Sequence, residues 1–193
     1  FYTPNMVAPP QSLSPSAHKP TLVVESWKNL GVAFEIHEPA AVTEAQLGLA
    51  HHPTYVREVL SGTHPNGFGN MNTKVTQTTL YTSGAMLAAA REALHNRRIA
   101  IAPVSGFHHA GYRLASGFCT FNGLMVTAMV LKREALIRRI GILDFDHHYG
   151  NGTADLIGRH GAITWVRHFT AGDHYHHADQ AREFLARIPA LVR

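Results

Sequence analysis

The stretch Arg139-Ile140-Gly141-Ile142-Leu143-Asp144-Phe145-Asp146-His147-His148-Tyr149-Gly150-Asn151-Gly152-Thr153 runs from an apolar segment straight into acids, histidines and glycines. The apolar part reads as a buried strand over residues 140–144. In an extended chain successive side chains alternate faces, so Asp144, Asp146 and His148 point the same way. A carboxylate and an imidazole two residues apart, with Gly150 and Gly152 freeing the backbone behind them, suit a hard-to-borderline metal ion. The same residues also suit a plain strand end whose acids cap the next helix.

Working outward, helical and extended patterns alternate. Before the stretch, residues 122–136 read as a helix, and Arg98 to Pro103 (Ile99-Ala100-Ile101-Ala102) as an apolar strand running into Gly106-Phe107-His108-His109-Ala110. Gln77 to His95 favours a long helix, with Ala88-Ala89-Ala90 allowing close packing. His64-Pro65-Asn66-Gly67-Phe68-Gly69-Asn70 is a turn-dense loop, either a simple connection or a substrate edge. Helices are expected at Tyr55 to Leu60 and from Glu44 towards His51, where Thr43 and Gln46 form a capping-box pattern. Val32 to Ile36 reads as a short strand, Thr21 to Leu30 as a helix closed by Gly31, and residues 1–20, with five prolines, as an irregular arm.

After the stretch come a helix at Thr153 to Arg159, a strand at Ala162 to Val166, and an amphipathic helix at Asp179 to Ile188. Between the last two lies the polar loop His174-Tyr175-His176-His177. Alternating strands and helices imply an α/β fold with a parallel sheet covered on both faces. Sites in such sheets gather beyond the carboxyl ends of the strands, where His108-His109 and Asp144/Asp146/His148 both fall.

Composition narrows the partners. The chain has 193 residues, 45% of them hydrophobic, enough for one domain with a proper core. No apolar run approaches the roughly 18 residues that would span a membrane. The net charge of +4 is spread over dispersed pairs such as Arg97-Arg98 and Arg138-Arg139, without an aromatic-interleaved stripe, so no nucleic-acid partner is expected. Charged residues are only 16%, against about 25% in typical domains. Either further chain or subunit covers part of this surface, or the figure is compositional scatter. A single cysteine, Cys119, precludes an internal disulfide and fits a reducing, cytoplasmic compartment. The chain opens on Phe1 with no signal-peptide pattern, as a fragment would.

Two adjacent histidines can supply imidazoles of different character when their partners differ. One beside a carboxylate is pushed towards the cation and one beside an amide is not. Asp144 and Asn151 are candidate partners of those two kinds. Next to a metal held by Asp146 and His148, such a pair can activate water and protonate a leaving amine. Read alone, His108-His109 also fit a pair of satisfied loop histidines.

The segments Gly106-Phe107-His108-His109-Ala110, Ser116-Gly117-Phe118-Cys119-Thr120-Phe121-Asn122 and Asp144 to Thr153, in that order, resemble the histone deacetylase family. Within it they look most like the bacterial deacetylase-like and acetylpolyamine amidohydrolases. Ser14-Pro15-Ser16 and Asn66-Gly67-Phe68-Gly69 extend the likeness towards the N-terminus. The resemblance implies the arginase-deacetylase α/β fold and zinc-dependent hydrolysis of an acetylated amine, acetyl-lysine or acetylpolyamine. It implies Asp146 and His148 as zinc ligands, His109 with Asn151 as general base and acid, and His108 with Asp144 as electrostatic stabiliser. Gly117 and Phe118 would line the acyl-chain tunnel, Cys119 would be a buried neighbour, and a potassium ion would sit near Asp144, Asp146 and His148.

The family's third zinc ligand and its transition-state tyrosine belong to late segments that do not occur before Arg193. The chain is therefore expected to be one domain over residues 1–193, incomplete at its C-terminal side, and either paired with another copy as a homo-oligomer or part of something longer. Light scattering reads this directly. Tyr149 stands where the family usually has a second histidine. Trp165-Val166-Arg167-His168 stands where a Ser-Leu-His usually helps hold potassium, which suggests the Arg167 guanidinium as the cation's replacement. The alternative function is a non-catalytic or truncated remnant of the fold. A two-metal ureohydrolase is disfavoured, because Asp144, Asp146 and Asp155 provide too few carboxylates.

Overall fold

The computed structural model describes residues 1–8, 15–175 and 177–191, which leaves Ser14 of the N-terminal motif and His176 of the histidine loop outside the described residues. Among the described residues, seven α-helices and two strands follow in the order α1 (Lys19–Asn29), α2 (Glu44–Leu47), α3 (Pro53–Ser61), α4 (Thr73–Asn96), α5 (Gly123–Arg133), β1 (Ile140–Asp144), α6 (Asn151–Arg159), β2 (Val166–Thr170) and α7 (Ala181–Leu191).

The helix ends are written in the sequence. Thr43 and Gln46 close a capping box at α2, with Gln46 N–H on Thr43 Oγ1 at 3.1 Å and Thr43 N–H on Gln46 Oε1 at 2.8 Å. Pro53 opens α3, and Gly62, at φ +72°, ends it in the left-handed region that glycine enters without strain. Asn72 and Asn122 cap α4 and α5 through bonds from Lys74 N–H and Met125 N–H.

β1 and β2 pair in parallel, with Ile140 opposite Val166, Ile142 opposite His168 and Asp144 opposite Thr170. Alternation places Ile142 and Val166 on the face that joins the main core with Tyr55, Val59, Phe121, Met125 and Leu156. On the opposite face lie Leu143, Arg167 and Phe169, and Phe184 of α7 stacks on Phe169 at 6.1 Å. The result is an α/β arrangement with helices around a parallel sheet.

Three expected strands differ. Residues 32–36 and 98–103 form no ladder among the described residues. Their alternating apolar side chains instead line one open groove of about 820 Å³ with Trp27 and Val24. A strand needs a partner for its N–H and C=O groups, and amphipathic alternation alone does not supply one. The third strand begins at Val166 rather than Ala162. Gly161 turns the chain at φ +58°, and Ala162–Thr164 then wind a 3-10 turn closed by Trp165 N–H on Ala162 O at 3.0 Å.

α4 crosses the 40–41 segment at Gly84 so closely that a Cβ there would lie 1.9 Å from Ala40 O. The obstacle is backbone, which no rotamer change relieves. Gly84→Ala gains about 1 kcal/mol of helix propensity but forces the segment away, and the expected net loss is roughly 1–3 kcal/mol. Urea melts measure it, and a more stable variant would show that the crossing relaxes freely.

Candidate active site

Asp144 ends β1 as a carboxylate with a side chain 9% exposed. Its two oxygens are both used: Oδ2 faces His108 Nδ1 at 2.7 Å, and Oδ1 accepts the Asp146 N–H at 3.1 Å. The Asp146 carboxylate repeats the pattern one step on, accepting His148 N–H at 2.8 Å and lying 2.9 Å from His148 Nδ1. Two successive side-chain-to-backbone bonds thus wind the loop that carries these residues off the strand end. The Gly150 N–H, bound to Thr170 Oγ1 at 3.1 Å, ties the far side of the loop to β2 before α6 starts at Asn151.

His108 and His109 arrive from the other side with ring centroids 4.0 Å apart. Their partners differ in charge, as the residue types suggest. His108 is bound to Asp144, and that hydrogen bond raises its pKa against the opposing effect of burial, helped by the fields of Asp144 and Asp146. His109 Nδ1 is 2.6 Å from Asn151 Oδ1. An amide oxygen only accepts, so Nδ1 is the donor, and it is Nε2 that carries the lone pair of the neutral ring. His109 also faces His148, with centroids 5.8 Å apart. For Asp146, burial works towards a higher pKa. The bonds from His148 and the nearby His108 and His148 rings prevail and hold it below the usual carboxylate range.

Gly117 sits against His109. At φ +54° and with an added Cβ 2.4 Å from His109 Cδ2, no larger residue fits there. Phe118 follows at φ +62° with its ring half exposed, held by Phe118 N–H on Gly67 O at 3.0 Å and facing Phe68 at 6.1 Å. The 64–70 loop therefore does more than connect: it props Phe118 beside the histidines. Cys119 is buried, and that burial pushes its thiol up to about 11, which leaves it protonated and unreactive at neutral pH.

The structure brings His108, His109, Asp144, Asp146, His148 and Asn151 together, with Gly117 and Phe118 at their edge. His148 is 70% exposed on its side chain and Asp146 50%, so both remain open while the His108–Asp144 pair is closed off. As a donor set, a carboxylate and an imidazole side by side fit a borderline divalent cation. Among the described residues, no group of three or more His, Cys, Asp or Glu side chains is placed to hold a metal ion.

Arg167 does not approach this cluster. It pairs with Gly141, on the sheet face opposite Asp144, and is exposed, which corrects the expectation that its guanidinium replaces a cation there. His168 faces Asp144 instead. Its pKa is lowered by burial, with Asp144 acting in the other direction. Sequence reading misses His168 and Thr170, because the strand that carries them starts four residues later than its pattern suggests. Strand parity from the correct start finds both. In the histidine loop, Tyr175 is buried against Phe184 with centroids 5.0 Å apart, so that stretch is partly a packing element. No helix among the described residues is long and apolar enough to cross a membrane.

The sequence matches the model of the histone deacetylase domain over residues 15–183. A probable deacetylase of Methanothermobacter thermautotrophicus is 29% identical over 136 residues, covering 67% of this chain and 40% of the relative. Among solved structures, the HDA15 HD domain superposes with a TM-score of 0.68 at 23% identity, over 81% of this chain and 48% of that one. An acetylpolyamine aminohydrolase from Burkholderia pseudomallei gives 0.64 at 19% identity, over 81% and 58%. The chain thus spans less than half the length of the curated relative. The matched span, the shared fold and the order of the three motifs together make this chain a member of the histone deacetylase family.

Proposed function

We propose that this protein hydrolyses the amide bond of an acetylated amine, an acetyl-lysine or an acetylpolyamine, at a zinc ion held in part by Asp146 and His148. The observation that carries the reading is the pair of adjacent imidazoles with unlike partners, His108 on Asp144 and His109 on Asn151, beside those two open donors. When bound, the zinc supplies the Lewis acid that makes water nucleophilic at neutral pH.

The chain's own residues do the rest. His109, with Nδ1 pinned to an amide, uses Nε2 to take a proton from the attacking water and to return it to the departing amine. His108, whose hydrogen bond to Asp144 favours its protonated form, favours negative charge as it develops on the acetyl carbonyl. Phe118 and Gly117 offer an apolar edge for the aliphatic chain that carries the acetylated nitrogen. A relative named as a probable deacetylase and a solved neighbour named as an acetylpolyamine aminohydrolase support the same reaction class.

The test is acetate release from a small acetyl-lysine and from an acetylated polyamine, with and without chelator. Chelator-sensitive turnover of either supports the proposal and picks the substrate. A folded protein with no turnover on either favours the alternative, a non-catalytic member of the fold.

A further inference from the structure

We infer that Phe68 is a specificity-determining residue: with Phe118 it forms an uncharged apolar edge that accepts a neutral aliphatic chain and disfavours one carrying a second ammonium. The inference takes from the proposed function only that the ligand is an acetylated amine, and it narrows that class to amines with no further positive charge on the chain.

Phe118 is held in a conformation that phenylalanine rarely adopts. Ser116 N–H bonds Cys119 O at 3.0 Å and Cys119 N–H bonds Ser116 O at 2.8 Å, so Gly117 and Phe118 form the tip of a tight turn. Both tip residues have positive φ, a geometry that favours glycine at each place. Strain of this kind persists only where the surroundings impose it, and it gathers at functional sites. Here the 64–70 loop imposes it, because Gly67 O takes the Phe118 N–H at 3.0 Å.

That loop is built around Asn66, which is buried. Its Oδ1 takes the Phe68 N–H at 3.0 Å, and its Nδ2 donates to Asn70 Oδ1 at 2.9 Å. Gly67 N–H donates to Thr120 Oγ1 at 3.0 Å, and a Cβ on Gly67 would lie 2.3 Å from the Cys119 carbonyl carbon, so the loop sits flush on the turn. The Phe68 ring packs on Ala8, Ala17 and Val75 and lies 6.1 Å from the half-exposed Phe118 ring. The two rings make one apolar edge, which begins at Gly117 against His109.

The charges beside this edge decide what it takes. Residues 61–73 and 114–123 contain no Asp, Glu, Lys or Arg. Lys74 follows the first segment and Arg113 precedes the second, and both are exposed cations. Glu58 lies a turn before the first segment, in α3. The nearby carboxylates are engaged: Asp144 with His108, Asp146 with His148, and Asp155 with Tyr112 N–H at 2.8 Å and Arg159 Nε at 2.9 Å. An ammonium drawn onto such an edge loses hydration and gains no partner, whereas a methyl group gains by burial.

Binding measured by saturation-transfer NMR titration tests this without turnover, using N-acetylcadaverine and N-hexylacetamide, in which a methyl replaces the ammonium. The wild-type chain is expected to bind the neutral probe roughly tenfold more tightly or better. Phe68→Glu should cut that ratio by about tenfold, since it puts a carboxylate on the edge. Phe68→Leu, still apolar, should keep the ratio. A purely structural role for Phe68 would weaken both probes alike and leave the ratio where it was. Equal or tighter binding of the cation by the wild type, or binding of neither probe, overturns the inference. So does a folded Phe68→Glu with the wild-type ratio. Should the glutamate variant not fold, Phe68→Ala gives the same reading, as it should lose affinity for N-hexylacetamide alone. A chain that binds with this preference and releases no acetate would sink the proposed function and leave the specificity of the edge standing.

Discussion

His109→Ala is expected to lower acetate release by roughly 10²–10⁴-fold, the usual loss when a positioned general base is removed. On the proposed mechanism the effect falls on kcat more than on KM, because His109 acts on the water and the leaving amine and not on the acyl chain. The geometry fixes which nitrogen matters. With Nδ1 committed to Asn151 Oδ1 at 2.6 Å, only Nε2 is free to move a proton. Asn151→Ala should therefore cost less than His109→Ala while failing in the same parameter, since it frees the ring to turn and exchange tautomers. Folding should hardly change, as both side chains lie at the open end of the site. Steady-state kinetics on both variants, with melting curves alongside, give the answer. A His109→Ala protein within fivefold of wild-type kcat would remove His109 from the proton path and leave His108 to be tested in its place.

The unlike partners of the two histidines are legible in the amino-acid sequence, because they follow from strand parity and residue type. β1 ends where its apolar run ends, and Asp144 therefore projects with Ile142 towards the rim reached by His108. Asn151, the first residue of α6, comes within reach of His109 because the two glycines beside it keep the turn compact. Features that depend on partners far along the chain are not legible. Residues 32–36 and 98–103 carry strand-like alternation, but alternation records an apolar side and not a hydrogen-bonded neighbour, and in the structure both line a groove. At β2 the difference is local. A 3-10 turn after a left-handed glycine takes up the first four residues of the apparent strand, so the ladder runs on to Thr170 and carries His168 on the face of Asp144 and Arg167 on the other. His51 gives no signal either, as its two hydrogen-bond partners are 60 and 71 residues away.

His51 sets the second large effect, on acid stability. Its residue is fully buried, Nδ1 lies 2.9 Å from Gly111 O, and Nε2 takes the Asn122 N–H at 2.9 Å. Nδ1 must donate and Nε2 must accept, so the neutral ring is satisfied and a second proton would face a backbone donor. Burial is the main cause that pushes its pKa down to about 4, joined by nearby His160 and opposed by the Gly111 bond and by Asp155. In the unfolded chain the same imidazole titrates near 6.5. Between those values the unfolded state binds the extra proton, so this contribution is complete above pH 6.5 and lost as pH falls towards 4. The shift corresponds to about 3 kcal/mol, or roughly 6–12 °C in Tm. The loss would not stay local. Asn122, whose N–H bonds His51, also holds Ala110 O at 3.1 Å and Thr153 Oγ1 at 3.0 Å, the points where the His108-His109 segment meets α6. Denaturant melts from pH 7.5 to 4 should show stability falling by about one proton's worth, ~1.4 kcal/mol per pH unit, across the lower part of that range. His51→Phe should be less stable at pH 7.5, where it orphans Gly111 O and Asn122 N–H, yet lose that slope. If the slope survives in His51→Phe, acid sensitivity originates at another buried histidine, and His168 is the first to examine.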